Sequence, residues 1–486
     1  MEYLGWILAC GLLAFLGLKR QRYGVYFSDE SPDSVAGLLT KHFEPLPVSE
    51  ITITDRQFPF RVRADLQKAV DKLVNQDSTI IHFFGVRREY SHEPVTLSGC
   101  LVESDNNPAV STPPEHEELD VGDEEPVRVL KNGLWMLEKD GIRYVVLLSP
   151  SGHYGCVTGL QFQVATPNSP EGSQISQTFF KGLEEAILRA DSYRGKILSL
   201  EQSDHNYTGE SSGITVHKLR QVEREQVILP ESTIRLLERN VIDFVRHRDR
   251  LAQFNQSTKK GLLFYGPPGT GKTHTLHYLS RALRGHTTLL ISAEQVVMLG
   301  EYMTLARLLQ PSIVVMEDVD LIARNRTEMS SAGEEVMLNK LLNEMDGLKE
   351  DADILFILTT NRPETLEAAL AARPGRIDQA IEFPLPDEEG RAKLVRLYSR
   401  GITLDPDCVA EIARRSEGVS AAFIKELMRR IVQYHLERDG NGEINREDID
   451  NALDEMLFKG ASLNLKLLGA SGRTLGETEA PQVVPE

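Results

Sequence analysis

The sequence predicts an α/β fold: a parallel sheet covered by helices, followed by a small all-helical lid subdomain and preceded by an α+β N-terminal domain and an apolar N-terminal helix. Three observations predict it. The glycine-rich stretch Gly266-Pro267-Pro268-Gly269-Thr270-Gly271-Lys272-Thr273 sits between an apolar run and an amphipathic helical pattern. Short apolar runs then alternate with helical patterns as far as residue 386, which implies right-handed crossovers and strands buried on both faces. From Asp387 to Phe458 only helical patterns follow.

The glycine-rich stretch follows Gly261-Leu262-Leu263-Phe264-Tyr265, a buried-strand pattern. It precedes residues 273–284, where Leu276, Leu279 and Leu283 fall on one helical face. Strand, loop and helix start together let backbone N–H groups and the positive end of a helix dipole hold a nucleotide's phosphates. The glycines admit close backbone approach, Lys272 reaches the β- and γ-phosphates, and the Thr273 hydroxyl ligates Mg²⁺. This is the parallel sheet of a P-loop NTPase, with ATP and Mg²⁺ as the expected cofactors. Its first helix is expected over 231–245, introduced by Ile228-Leu229-Pro230. Further strands are expected at 288–291, 313–316, 354–358 and 380–383.

Phosphoryl transfer to water also needs carboxylates, so a strand ending in acids must lie beside the phosphate loop. Ile313-Val314-Val315-Met316-Glu317-Asp318 supplies two. Adjacent carboxylates at a strand end are costly without a cation, which favours the catalytic reading over a structural one.

Composition bounds the rest. The chain has 486 residues, 41% of them apolar, enough for about three domains with real cores. A formal net charge of −18 argues against nucleic acid as a partner. The four cysteines are widely spaced without a CxxC pair, which suggests neither a zinc site nor a disulfide framework. Asn206, Asn255 and Asn325 open Asn-x-Ser/Thr triplets, which matter only in an exported segment.

At the N-terminus, residues 3–18 carry no charge, and Lys19-Arg20-Gln21-Arg22 follow. As a helix the run covers about 24 Å against about 30 Å of hydrocarbon, so spanning needs help from its flanks. Basic residues after the run rather than before it have the order of a membrane anchor, not of a cleaved signal peptide. The positive-inside rule then leaves the bulk of the chain in the cytoplasm. The alternative is a helix buried in the protein or at an oligomer contact.

Residues 23–227 read as an α+β domain without a chemical motif. A helix is expected over 64–74, a strand over 80–86, and paired strands at 134–137 and 144–148 around a Lys139-Asp140-Gly141 turn. A helix follows over 177–189. The stretch 101–126 has no Lys or Arg and reads as a solvated acidic loop or disordered insertion, and the Gly- and Pro-punctuated tail 459–486 reads as disordered.

Over residues 228–458 the chain resembles the AAA family of ring-forming ATPases, in its classical clade. The matching pieces are GPPGTGKT, Asn343-Glu344-Met345-Asp346-Gly347, Thr359-Thr360-Asn361, and Ala369-Leu370-Ala371-Ala372-Arg373-Pro374-Gly375-Arg376-Ile377-Asp378. The resemblance implies a large α/β subdomain over 228–386 and a helical lid over 387–458. It implies Glu317 as the carboxylate that holds Mg²⁺ through water, Asp318 as the base, and Asn361 as the sensor that orients the attacking water. It further implies Arg373 and Arg376 as arginine fingers reaching a neighbour's nucleotide, hence a homo-oligomer with a hexameric ring as the family's expectation.

Three departures stand out. The acidic pair runs Glu317-Asp318 where the family usually has Asp then Glu, an inversion similar to that of the mitochondrial translocase that moves the folded Rieske protein. Met298, in Gln295-Val296-Val297-Met298-Leu299-Gly300-Glu301, occupies the place of an aromatic threading residue. Gly418-Val419-Ser420-Ala421-Ala422-Phe423 replaces the family's Gly-x-Ser-Gly-Ala-Asp, with Ala421 or Ala422 expected against adenine. No HExxH occurs in the chain, so no intrinsic peptidase is expected. The favoured expectation is a membrane-anchored ring ATPase that remodels or translocates a protein substrate. The other is an ATP-dependent assembly scaffold or switch with slow turnover.

Overall fold

The computed structural model describes residues 34–76, 78–88, 94–102, 107–153, 156–201, 213–324, 341, 343–345, 347, 352–364, 376–438 and 444–459. The apolar run 3–18, Arg373 and the tail 460–486 lie outside the described residues. Among the described residues no helix is long and apolar enough to cross a membrane. The chain divides into two compact units, 1–192 with 203–214, and 193–202 with 215–486.

The N-terminal unit holds a six-stranded sheet in the order β1-β8-β7-β6-β2-β3. Its strands are β1 (Ile51–Pro59), β2 (Thr79–Arg87), β3 (Val110–Thr112), β6 (Gly133–Lys139), β7 (Ile142–His153) and β8 (Cys156–Pro167). The pairings are antiparallel. A separate ribbon joins β4 (His116–Leu119) to β5 (Val127–Leu130). Among the described residues four α-helices accompany the sheet: α1 (Val35–Phe43), α2 (Arg63–Gln76), α3 (Leu97–Leu101) and α4 (Pro170–Arg189).

Alternate residues of β6 enter two different cores. Trp135 and Leu137 pack with Leu66 and Val70 of α2 and with Phe179 and Leu183 of α4. Leu134 and Met136 pack with Leu39 of α1 and Leu97 of α3. The period of two thus places helices on both faces of an antiparallel sheet.

Two expectations are corrected here. The acidic stretch 101–126 is not simply a loop, since β3 and β4 form within it. β3 pairs antiparallel with β2 and β4 with β5, Leu119 is buried, and Arg63 Nη1, only 3% exposed, meets Glu117 at 2.7 Å. The helix expected from 177 begins instead at Pro170, because the Ser169 hydroxyl accepts from the Gly172 N–H and caps it. The turn at Asp140-Gly141 is found as expected: Lys139 pairs with Ile142, and both turn residues have positive φ.

The second unit is built on a seven-stranded sheet ordered β10-β9-β12-β13-β14-β11-β15. The strands are β9 (Ile197–Leu200), β10 (Ile214–Val216), β11 (Lys260–Tyr265), β12 (Thr287–Ile291), β13 (Ser312–Met316), β14 (Ile354–Thr360) and β15 (Gln379–Glu382). The run from β9 to β15 is parallel. Sequence patterning finds five of these strands; β9 and β10 take the sheet beyond the expected boundary at 227/228. Its helices include α5 (Glu231–Leu237), α6 (Lys272–Ala282), α7 (Leu299–Leu308) and α8 (Val319–Arg324). Leu276, Leu279 and Leu283 pack on Leu262, Phe264, Ile313 and Ile357, the helical face the spacing predicts.

The lid comprises α9 (Glu388–Tyr398), α10 (Pro406–Arg415), α11 (Ala421–Glu437) and α12 (Arg446–Leu453). Asp387, Asp405, Ser420 and Asn445 cap them, each side chain accepting from a backbone N–H one turn in or nearer. Ile412, Ile424, Leu427 and Ile431 form its core as the sequence predicts, whereas Leu394 and Val395 replace the half-buried Leu397.

Candidate active site

The phosphate loop leaves the carboxyl end of β11, and its backbone is shaped by what lies against it. Gly266 has φ +148°, and a Cβ there would stand 2.2 Å from the Phe383 carbonyl oxygen. Gly269 has φ +77°, and a Cβ would stand 2.8 Å from Ser420 Oγ and 2.9 Å from Ala422 Cβ. The lid therefore touches the loop directly, and the Ala422 N–H donates to the Gly269 carbonyl over 3.1 Å. The N-cap of α6 is Gly271, which has no side chain to accept from the first-turn N–H groups. Those donors are of the kind that bind phosphate oxygens.

Lys272 is 7% exposed and donates to the carbonyls of Gly266 (2.8 Å) and Pro267 (3.0 Å). Burial pushes its ammonium down to about 8, while Asp318 and Asp320 pull the other way. A buried cation whose hydrogen-bond acceptors are the neutral carbonyls of Gly266 and Pro267 fits a loop made to receive anionic oxygens. Thr273 Oγ1 donates to Glu317 Oε1 over 2.7 Å, so the hydroxyl and carboxylate expected around Mg²⁺ meet in one place. Hard oxygen donors of this sort suit Mg²⁺, which keeps several waters and binds through few protein groups.

The end of the acidic strand β13 lies beside the phosphate loop, where Thr273 meets Glu317, although β13 does not pair with β11, because β14 lies between them. Parallel strands need long crossovers, so chain order and spatial order diverge. Register nevertheless brings the strand ends level, with Tyr265 opposite Thr360 and Met316 opposite Leu358. Asn361 Nδ2 consequently donates to Asp318 Oδ1 over 2.9 Å. Asp318 adopts φ +50°, an uncommon left-handed conformation for a non-glycine residue, and its N–H donates to Thr359 Oγ1 over 3.0 Å.

Sequence reasoning gave Asp320 no role. It is 3% exposed, and its Oδ1 accepts from Thr360 Oγ1 (2.9 Å) and from the Asn361 N–H (3.1 Å). The signal was present in the run Glu317-Asp318-Val319-Asp320, whose last carboxylate is the one that anchors the sensor strand.

Other expected residues fall further away. The Arg376 carbonyl lies 2.1 Å from where a Cβ on Gly261 would stand, at the opening end of β11. The loop begins five residues later, roughly 16 Å along the strand at ~3.3 Å per residue. Ala421 packs against the lid core, so Ala422 rather than Ala421 meets the phosphate loop. In the segment after β12, Met298 is half-buried, Leu299 is fully buried, and the exposed apolar side chain is Val297, at 59%.

A parallel sheet with a phosphate loop at one strand end and an acid–amide pair at the next two defines a P-loop nucleotide-binding protein. Residues 262–385 match the model of the ATPase family associated with various cellular activities (AAA), so the chain carries an AAA ATPase domain, of the classical clade. It is 34% identical over 239 residues to the 26S proteasome regulatory subunit 8 of Caenorhabditis elegans, covering 46% of this chain and 56% of that one. It is 33% identical over 237 residues to the ATP-dependent zinc metalloprotease FtsH 2 of Symbiobacterium thermophilum, covering 45% and 39%. With the subunit 8 homologue of Saccharomyces cerevisiae it shares 29% identity over 357 residues, covering 66% and 82%. The chain thus spans little more than half the length of the first of these relatives and less than half of the second.

Proposed function

We propose that the protein is a Mg²⁺-dependent ATPase that couples ATP hydrolysis to remodelling or translocation of a protein substrate, acting as a homo-oligomeric ring of the hexameric kind the family forms. The observation that carries this reading is the pair of contacts at the strand ends, Thr273 to Glu317 and Asn361 to Asp318, beside the buried Lys272. Lys272 and the loop N–H groups bind the phosphates, and Thr273 and Glu317 hold Mg²⁺, the latter through water. Mg²⁺ when bound neutralises charge on the phosphate oxygens. Asn361 holds the attacking water, and Asp318 takes its proton. Arg373 and Arg376 serve a neighbouring subunit's site, which agrees with the distance of Arg376 from its own phosphate loop.

The uncharged run 3–18 followed by Lys19, Arg20 and Arg22 supports a membrane anchor with the ATPase in the cytoplasm. The N-terminal unit selects the substrate, and the chain has no peptidase of its own. A second reading, an ATP-dependent assembly scaffold or switch, is favoured by two features: the shorter base, Asp318, and a half-buried methionine, Met298, where a threading aromatic is expected.

Steady-state ATP hydrolysis across protein concentration separates them. Specific turnover that rises with concentration and is lost in Lys272→Ala, Asp318→Asn and Arg376→Ala supports the motor. ATP binding without turnover above the Asp318→Asn background supports the switch.

A further inference from the structure

The N-terminal unit contains a cavity of about 350 Å³ between α2, α4 and the β6–β7 hairpin. That volume lies at the small end of the range for ligand sites. Its wall is apolar, formed by Leu73, Ile142, Ile175 and Phe179. The two helices come close there: a Cβ on Gly182 of α4 would stand 2.9 Å from the Leu73 side chain. Polar groups interrupt the wall: Gln174 and Thr178 on α4, and the pair Ser78 Oγ and Tyr144 Oη, 2.6 Å apart.

Among the exposed side chains around the cavity, Asp140 and Glu171 carry negative charge and are held by regular structure, beside the uncharged Gln174 and Thr178. Asp140 sits in the tight two-residue turn closed by Lys139 and Ile142, with φ +52° at Asp140 and +77° at Gly141. Glu171 stands in the first turn of α4. Among the described residues neither carboxylate forms an ion pair, and Lys139 is the single cation on the cavity's lining. The lining therefore combines an apolar wall with an excess of negative charge.

We propose that this cavity binds an extended peptide segment that presents an apolar side chain next to an arginine or lysine. The apolar side chain enters between Leu73, Ile175 and Phe179, the neighbouring cation meets Asp140 and Glu171, and the Ser78–Tyr144 pair bonds the peptide backbone. The identity of the ligand as a protein segment rests on the remodelling reading; the chemistry of the cavity does not.

Fluorescence anisotropy tests it, with the full chain, without nucleotide, against a labelled hexapeptide of alternating leucine and arginine. Leucine–glutamate and serine–arginine hexapeptides serve as controls. The first peptide is expected to bind and the controls to bind at least tenfold more weakly. Thr178→Trp, an exposed α4 position on the lining, is expected to abolish binding by filling the cavity. Glu171→Lys is expected to weaken it about tenfold by reversing the charge. Both variants keep the wild-type melting temperature and ATP turnover. No binding of the leucine–arginine peptide, equal binding of the controls, or unchanged binding in Thr178→Trp overturns the proposal. Peptide binding in a chain without ATP turnover would instead count against the motor and leave this site standing.

Discussion

Asn361 donates its side-chain amide to the carboxylate of Asp318 across the carboxyl ends of two neighbouring strands, 2.9 Å apart in space and 43 residues apart in sequence. The same asparagine is held from behind, its backbone N–H donating to Asp320. One carboxylate thus accepts from the asparagine's side chain and the other from its backbone.

Asp320→Ala is expected to lower ATP turnover by roughly 10²-fold while leaving ATP affinity within a few-fold, because it removes the acceptor that positions Asn361 without touching the phosphate loop. It also leaves the buried Thr360 hydroxyl proton and the Asn361 N–H without an acceptor, at about 1–3 kcal/mol each. Asp320→Asn, which keeps an acceptor oxygen, should restore much of the loss. Turnover measured at saturating ATP beside equilibrium nucleotide binding checks this, and a loss confined to affinity would refute it.

ATP affinity is expected to fall as pH rises past about 8, the value to which burial pushes Lys272. Phosphates favour the ammonium form, so binding above this pH takes up a proton. Because the folded value lies below the free value of 10.5, the folded chain holds fewer protons than the unfolded chain between the two. Lys272 thus contributes stability that increases with pH across that window. Calorimetric titration in buffers of different ionisation heat reads the proton uptake; affinity that stays flat to pH 9.5 would contradict it.

Gly269→Ala is expected to destabilise the ATPase unit by about 1–2 kcal/mol, since φ of +77° disfavours any side chain. The added methyl also presses on Ser420 and Ala422, so the lid must move off the phosphate loop and nucleotide affinity should drop with stability. Thermal unfolding with and without ATP measures both. A variant that melts at the wild-type temperature and binds ATP normally would show that the lid contact is dispensable.

In the segment after β12, Val297→Ser and Met298→Ser should fold normally and lose any ATP-dependent effect on a bound partner, Val297→Ser the more so because its side chain is 59% exposed. Leu299→Ser should instead unfold the domain by about 3–5 kcal/mol, as a polar group replaces a fully buried leucine. Denaturant unfolding of the three variants separates the roles. Equal stability of all three would sink the assignment.

Much of the nucleotide site is legible in the sequence because its parts are contiguous. A glycine-rich loop, the lysine and threonine after it, and two carboxylates at the end of an apolar run each occupy a few consecutive residues. The lid helices are legible for the same reason, each opening on a capping Asp, Ser or Asn. Asp320 is the exception: its carboxylate bonds to a strand 40 residues further on, which no local pattern reports. The acidic stretch before β5 fails in the opposite sense, because its strands pair with β2 and β5, outside the stretch, and composition does not report those partners.

The sequence by itself determined the P-loop NTPase class, the chemistry of the phosphate loop and the helical lid, since local periodicity, capping and loop conformation depend on neighbours along the chain. Only the tertiary structure decided that β14 separates the acidic strand from the loop strand, that β9 and β10 extend the sheet, and that Ser420 and Ala422 of the lid meet Gly269. Strand order and register follow from which apolar faces can be buried together, a condition imposed by residues distant in sequence and satisfied only when the whole sheet has formed.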